Sequence, residues 1–215
     1  NLSFAYEEGA KLTLEDITTE VADGEFVCIL GQSGCGKSTL LRLLAGLEKP
    51  TQGELLIDGE VIQGASLKRG VVFQDYGLFP WMTVGENIML ALKQCFPDRD
   101  KKEFSMNPPI LLMDEPFGAL DAVTRARLQD LIMKLWAEYN PKKTVFFVTH
   151  DVDEALLLAN RILVLGQSPS NIIYDCKIPE EIHPTRETQF ENPEFLQLRN
   201  TLIKQINLDV STHIS

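Results

Sequence analysis

What this sequence lacks narrows it first. No apolar run approaches the eighteen or so residues that cross a bilayer, so no membrane-spanning helix is expected. Cysteine is scarce and scattered. Cys28, Cys35, Cys95 and Cys176 form no C-x-x-C pair and no Cys/His cluster, which argues against a zinc site or a disulfide framework. Reduced thiols at Cys28 and Cys35 suit a cytosolic protein. Positive charge is short: 20 Lys and Arg against 31 Asp and Glu leave a net charge of −11, the opposite of the basic face that non-specific nucleic-acid binding needs. Internal repeats and low-complexity tracts are missing too. The first residue is Asn1, not Met, and strand-like sequence begins at once, so further residues are expected before it. Hydrophobic residues make up 44%, enough for the buried core of one large domain or two small ones.

Against that background one stretch organises the chain. Gly31-Gln32-Ser33-Gly34-Cys35-Gly36-Lys37-Ser38-Thr39 has the form G-x-x-x-x-G-K-[ST], between the apolar runs Phe26 to Leu30 and Leu40 to Leu44. A strand turning through glycines into a helix lets backbone N–H groups converge on one point, and the helix N-terminus adds its positive dipole end. The stretch is thus built to hold phosphates. Lys37 would reach the β- and γ-phosphates, and the Ser38 hydroxyl would lie on Mg²⁺. The competing reading, a glycine-rich turn, does not explain the strand and helix on either side.

The rest of the chain reads as strands alternating with helices. Short strands precede the loop. Asp58-Gly59 between Glu54-Leu55-Leu56-Ile57 and Glu60-Val61-Ile62 predicts a hairpin. The loop's helix should end at Gly46. Gly70 to Phe73 reads as a buried strand ending at Gln74, followed by the aromatic loop Asp75 to Met82 and a helix with Val84, Ile88, Ala91, Leu92 and Cys95 on one face. Ile110 to Met113 is a continuous apolar strand of the kind found in parallel sheets. Asp121 should cap a helix with Leu128, Leu131, Ile132, Leu135 and Tyr139 inward, and Thr144 to Thr149 is the next strand. A helix opened by Asp151 and Glu154, two last strands, and a helix begun by Asn192-Pro193 complete the chain. This predicts an α/β core with an antiparallel attachment.

Several acids and amides then fall at one sheet edge. Asp114, delivered by the strand from Ile110, would hold Mg²⁺, which keeps most of its waters and needs few protein ligands. Glu115 points elsewhere and would take a proton from an attacking water. Gln74 would reach the metal or the water, and His150 would hydrogen-bond the γ-phosphate. Tyr6 would stack on adenine. Each residue alone also fits an ordinary role: two solvated acids, a polar strand end, a surface histidine, a packed aromatic. Only their company with the phosphate loop favours the chemical reading.

Taken together, these motifs resemble the nucleotide-binding subunit of ATP-binding cassette (ABC) transporters, over nearly the whole chain. Gly31 to Thr39 is similar to the family's Walker A loop, Gln74 to its Q-loop and Ile110 to Asp114 to Walker B. Glu115 corresponds to the catalytic glutamate, Gly118 to Asp121 to the D-loop, His150 to the switch histidine and Tyr6 to the adenine-stacking aromatic. Leu78 to Val84, with Glu115 to Asp121, looks like the nitrate, taurine and sulfonate importer branch. The resemblance implies a single ABC ATPase domain over 1–215 with a P-loop NTPase (RecA-like) core. Within it would lie an antiparallel β portion and Walker A unit (1–73), a Q-loop and remnant of the helical subdomain (74–105), a Walker B to switch-histidine core (106–180) and a C-terminal helix and tail (181–215) with no assigned role. It implies ATP and Mg²⁺ as cofactors and a homodimer or paired ATPase subunit. Transmembrane permease subunits would dock near Gln74 to Asn87, where Phe79, Trp81 and Met82 offer apolar surface. A solute-binding protein would act indirectly, and the chain would sit peripherally on the cytoplasmic face of the inner membrane. The alternatives are a nucleotide-binding regulatory module without turnover and a soluble non-transport ABC ATPase.

One departure stands out. The family's signature, Leu-Ser-Gly-Gly-Gln, does not occur here, and Gln74 and Asp114 are too close in sequence to hold a whole helical subdomain. The stretch Asp100 to Met106 reads as a join between distant pieces. Either the 215 residues omit a segment, or the protein lacks its signature. The intact motifs on both sides favour the first, under which the intact mass exceeds 24.2 kDa. The second implies nucleotide binding with poor hydrolysis.

Overall fold

Three strands set the frame of the computed structural model: β3 (Phe26–Leu30), β7 (Ile110–Asp114) and β8 (Thr144–Thr149). The structure describes residues 1–74, 108–138, 140–179, 185–189 and 191–214, the last five of these for the backbone alone. The expected aromatic loop, the helix over Val84 to Cys95 and the join at Asp100 to Met106 lie outside the described residues, as does Tyr139.

Among the described residues the main sheet has six strands in the order β10-β9-β3-β8-β7-β6, with β6 at Arg69–Val72, β9 at Arg161–Leu165 and β10 at Ile172–Lys177. All pairs are parallel except β9 with β10. Successive side chains of a strand face opposite ways, and here both ways are buried. Val27 and Ile29 of β3 join one core with Leu40, Leu41 and Leu43 of helix α1 (Lys37–Ala45). Phe26, Cys28 and Leu30 join the other with Ala155, Leu156 and Leu158 of α3 (Val152–Leu158) and Phe195 and Leu202 of α4 (Pro193–Ile214). Burial on both faces explains why β3 and β8 read as unbroken apolar runs.

The antiparallel attachment is two separate ribbons, β1 (Leu2–Phe4) with β2 (Leu14–Ile17) and β4 (Leu56–Ile57) with β5 (Glu60–Val61). The second is the Asp58-Gly59 hairpin, both turn residues having positive φ (53° and 78°) as its tight turn requires. Strand β6 is half-buried instead of buried, because among the described residues it has a strand partner only in β7.

Helix α2 (Ala122–Glu138) begins where expected, with Asp121 Oδ1 accepting the N–H groups of Val123 and Thr124 at 3.0 Å each. Its inner face differs from the expectation. Leu131 and Leu135 are exposed, and the face against the core is Leu128, Ile132, Met133 and Trp136, with Gln129 buried beside them. Leucines occur on both sides of this helix, so hydropathy alone did not fix its rotation. Trp136 decides it by stacking edge-on against Phe26, centroids 5.7 Å apart, while its indole N–H donates to Lys143 O at 2.8 Å.

At the amino ends of the strands, Arg161 locks the sheet edge. Its guanidinium bonds Asp175 at 2.9 and 2.8 Å, Glu25 at 3.1 Å and Thr19 Oγ1 at 3.0 Å. Burial pushes the Glu25 carboxyl up, but the hydrogen bonds from Lys177 and the Ala22 N–H, with Arg161, outweigh it and hold it below its usual range. A lowered carboxyl stabilises fully above its unfolded value of about 4.3 and loses that contribution as pH falls through the folded value. Arg161→Met should therefore cost about 2 kcal/mol in urea unfolding at neutral pH, because it takes the guanidinium from both Asp175 and Glu25 and leaves Glu25 only Lys177 and the Ala22 N–H. The loss should shrink below about pH 4 as Glu25 protonates. An unchanged unfolding midpoint would contradict the clamp.

Candidate nucleotide site

The parallel strands bring the carboxyl ends of β3, β8, β7 and β6 to one edge, and each ends in a polar residue the sequence pointed to. Gly31 follows β3, His150 follows β8 and Asp114 closes β7. Gln74 lies two residues beyond Val72, which pairs with Met113. Strand β8 runs between β3 and β7, so His150 falls between the glycine loop and the two acids.

The loop folds around its own lysine. Lys37 is 5% exposed, and its Nζ donates to the carbonyls of Gly31 and Gln32 at 2.9 and 2.8 Å. The cap of α1 is Gly36 at φ 96°, where a Cβ would come within 2.8 Å of the Leu14 side chain. No side chain caps this helix and its first turn carries no acid. A helix N-terminus in that state presents N–H groups and a positive dipole end to an anion. Gln32, Ser33 and Gly34 are exposed, Cys35 is buried and Thr39 is buried. Burial raises the Cys35 thiol above its ordinary value, so it packs as an apolar group beneath the loop.

Two adjacent acids point to different partners. Asp114 Oδ1 accepts the Ser38 hydroxyl at 3.0 Å. Glu115 has φ 43°, a conformation that costs a non-glycine residue about 1–3 kcal/mol and gathers at functional sites. Its N–H donates to Val148 O at 3.1 Å, and its own carbonyl accepts the Gly118 N–H at 3.1 Å. Thus turned, its carboxylate stands 3.8 Å from Lys37 Nζ by one oxygen and 3.3 Å from His150 Nδ1 by the other. One carboxylate thereby joins three strand ends.

Tyr6 is 57% exposed, packs edge-on against Phe4 and shares a 2.9 Å hydrogen bond with Thr39 Oγ1, so it stands beside the end of the loop. Sequence reading gave the C-terminal helix no part in this site, and the structure brings it there. A cavity of about 530 Å³ runs between Gln32, Ser33 and His150 on one side and Ile203, Ile206 and Asn207 of α4 on the other. Helix α4 is anchored there by Arg199, which forks onto Asp153 of α3. Its apolar spacing signalled a packed helix, but not which neighbour it would meet.

The ABC transporter family pattern matches residues 14–106. An ATP-binding protein of Brucella melitensis biotype 1 is 42% identical over 207 residues, covering 89% of this chain and 85% of that protein. The chain belongs to the ABC transporter family. The nitrate import ATP-binding protein of Synechococcus elongatus is 36% identical over 236 residues (92% of this chain, 85% of that protein), and an aliphatic sulfonates import ATP-binding protein of Bacillus thuringiensis subsp. konkukian is 38% identical over 241 (94% and 91%). Both alignments run longer than the 215 residues here, so these relatives carry residues without counterpart in this chain. A bacterial ABC transporter cassette solved as a dimer matches with a TM-score of 0.68 at 28% identity, over 83% of this chain and 97% of that one. The same cassette, solved in a post-hydrolysis state with ADP and Pi, matches at 0.63 and 27%. This chain is an ABC ATPase, with the P-loop α/β core of its family.

Asp114 gives the site a testable signature. Burial pushes its carboxyl up, the Ser38 hydroxyl pulls it down, and the neighbouring Glu115 charge raises it again, with a net rise. A raised carboxyl contributes its stability at low pH and loses it as pH climbs through the folded value. Asp114→Asn should therefore raise the melting temperature of the nucleotide-free protein at pH 7 and flatten its dependence on pH. A lower melting temperature would show the carboxylate to be favourably paired.

Proposed function

We propose that this chain is the ATP-hydrolysing subunit of an ABC importer for a small anionic solute of the nitrate or sulfonate kind. The observation that carries the catalytic part is the Glu115 carboxylate held between Lys37 and His150 while Asp114 stays on Ser38. The importer and its cargo class rest on relatives named for nitrate and aliphatic sulfonates.

In this reading, residues 31–39 and the N-terminus of α1 cradle the phosphates. The Lys37 ammonium leaves the carbonyls of Gly31 and Gln32 for the β- and γ-phosphates, exchanging two neutral acceptors for charged ones. Tyr6 stacks on adenine. Ser38 and Asp114 would hold Mg²⁺, with Gln74 the third candidate for the metal or the water. A hydroxyl and one carboxylate 3.0 Å apart suit a cation that keeps most of its waters. Bound there, the cation would supply charge neutralisation to the phosphate oxygens. Glu115 takes the proton of the attacking water, and His150 contacts the γ-phosphate and holds the far side of that carboxylate. The low exposure of Lys37 and Glu115, 5% and 17%, strengthens these charges relative to water.

A paired cassette subunit closes the site, and permease subunits docking near Gln74 to Asn87 hold the chain at the cytoplasmic face of the membrane. Among the described residues no helix is long and apolar enough to cross a membrane, so attachment through such partners fits. The missing Leu-Ser-Gly-Gly-Gln string favours a second reading of the same site, a nucleotide-binding regulatory module without turnover.

Lys37→Ala should abolish binding of a fluorescent ATP analogue, and an unchanged affinity would refute the loop assignment. With MgATP present, Glu115→Gln should lower turnover by about 10²–10⁴-fold, the usual worth of a positioned base, and retain ATP on a dimer. A variant that runs as a monomer by size exclusion with MgATP would count against the paired site.

A further inference from the structure

His150 carries one side of the Glu115 carboxylate, yet its side chain is 58% exposed, so little packing holds the ring. Its position depends on the bend between β8 and α3. That bend is closed by side chains. Thr149 Oγ1 accepts the Asp151 N–H at 3.1 Å, and Asp151 Oδ1 accepts the N–H groups of Asp153 and Glu154 at 2.9 and 3.2 Å. Asp151 thus ties Thr149 on one side of the bend to the first turn of α3, including the Glu154 backbone, on the other.

The Glu154 side chain carries that turn to a second helix. Its Oε1 accepts the amide N–H of Gln129 at 2.7 Å. Gln129 lies in α2, the helix capped by Asp121, and is only 4% exposed. Its own Oε1 accepts from Arg186 at 2.8 Å, and Arg186 also bonds Ala126 O at 3.2 Å and Asp130 Oδ1 at 3.0 Å. Beside Glu154, Ala155 and Leu156 are fully buried. An amide and a carboxylate in such surroundings are costly unless every group is paired, and a fully paired network fixes one arrangement. This one runs from the 185–189 turn through α2 to the first turn of α3, where the Asp151 cap continues it to Thr149.

We infer that Glu154 is a positioning residue for His150, and that the Gln129–Glu154 pair passes the placement of the helix after Asp121 to the His150–Glu115 contact. The inference deepens the proposed function and rests on its reading of His150 and Glu115. Glu154 touches no reacting atom. It ties the first turn of α3 to α2, the Asp151 cap ties that turn to Thr149, and His150 between them is thereby set against Glu115.

The test reads the contact without requiring turnover. The ring signal of His150 is assigned in a nuclear magnetic resonance spectrum by its loss in His150→Ala. In the otherwise unchanged protein, Glu115→Gln should shift that signal. In Glu154→Ala the shift on adding Glu115→Gln should be lost. In the double substitution Gln129→Glu with Glu154→Gln, which exchanges donor and acceptor and leaves a carboxylate facing Arg186, the shift should return. Melting temperatures are recorded for each. A lower melting temperature with the shift retained assigns Glu154 a purely structural role and overturns the inference, as does a folded double variant without the shift. Should Glu154→Ala not fold, Gln129→Ala and the double variant supply the same comparison. Binding of the fluorescent ATP analogue is measured alongside. Its failure would sink the nucleotide reading, while the ring signal would still report on the contact.

Discussion

The structure depends on where one carboxylate is held. Glu115 sits just past the end of β7 in a backbone conformation that L residues avoid, fixed by its N–H on Val148 of the adjacent strand. From there it reaches the lysine of the glycine loop after β3 and the histidine after β8. Parallel pairing of β3, β8 and β7 makes this possible, because it alone brings the three carboxyl ends to one edge. The two apolar cores serve that alignment. Fully buried side chains on both faces of β3 leave the strand no freedom to slip, since a shift of one residue would exchange its faces. A site assembled from three strand ends is therefore as precise as the sheet that carries it.

Much of this was legible in the sequence because each local signal carries its own mechanism. The glycine loop, the Asp58-Gly59 hairpin, Gly46 at the end of α1, and the caps at Asp121, Asp151 and Asn192 each appear where their residue types require. The continuous apolar runs gave the parallel sheet. The rotation of α2 was not legible, since leucines lie on both of its faces and only the contact of Trp136 with Phe26 decides between them. The approach of α4 to the glycine loop was not legible either: Ile203 and Ser33 are far apart in sequence, and periodicity names a face but not its neighbour. Gln129 and Glu154 looked like ordinary helix residues, and only the fold makes them a pair.

The chain holds the same-chain half of the chemistry in one place and lacks the segment that relatives carry. The alignments, longer than the chain itself, and a family match that ends at Met106 agree with a join in the region that the sequence marked as abutted. The physical consequence is asymmetric. In the proposed reading phosphate binding uses the loop, Lys37, Ser38 and Asp114, and the structure holds Lys37 on the loop carbonyls and Ser38 on Asp114. Fast hydrolysis also needs water excluded and the developing charge enclosed from the opposite side. The proposed subunit therefore turns its nucleotide over only when a second cassette closes the site from the opposite side.

The most direct measurement of that claim is the fate of ATP labelled in its γ-phosphate, bound to the purified chain with Mg²⁺ and recovered after separation from free nucleotide. The account predicts ATP retained by the chain and hydrolysed faster per chain as protein concentration rises and two cassettes pair. Recovery of no nucleotide, or intact ATP with no hydrolysis at any protein concentration, would contradict it.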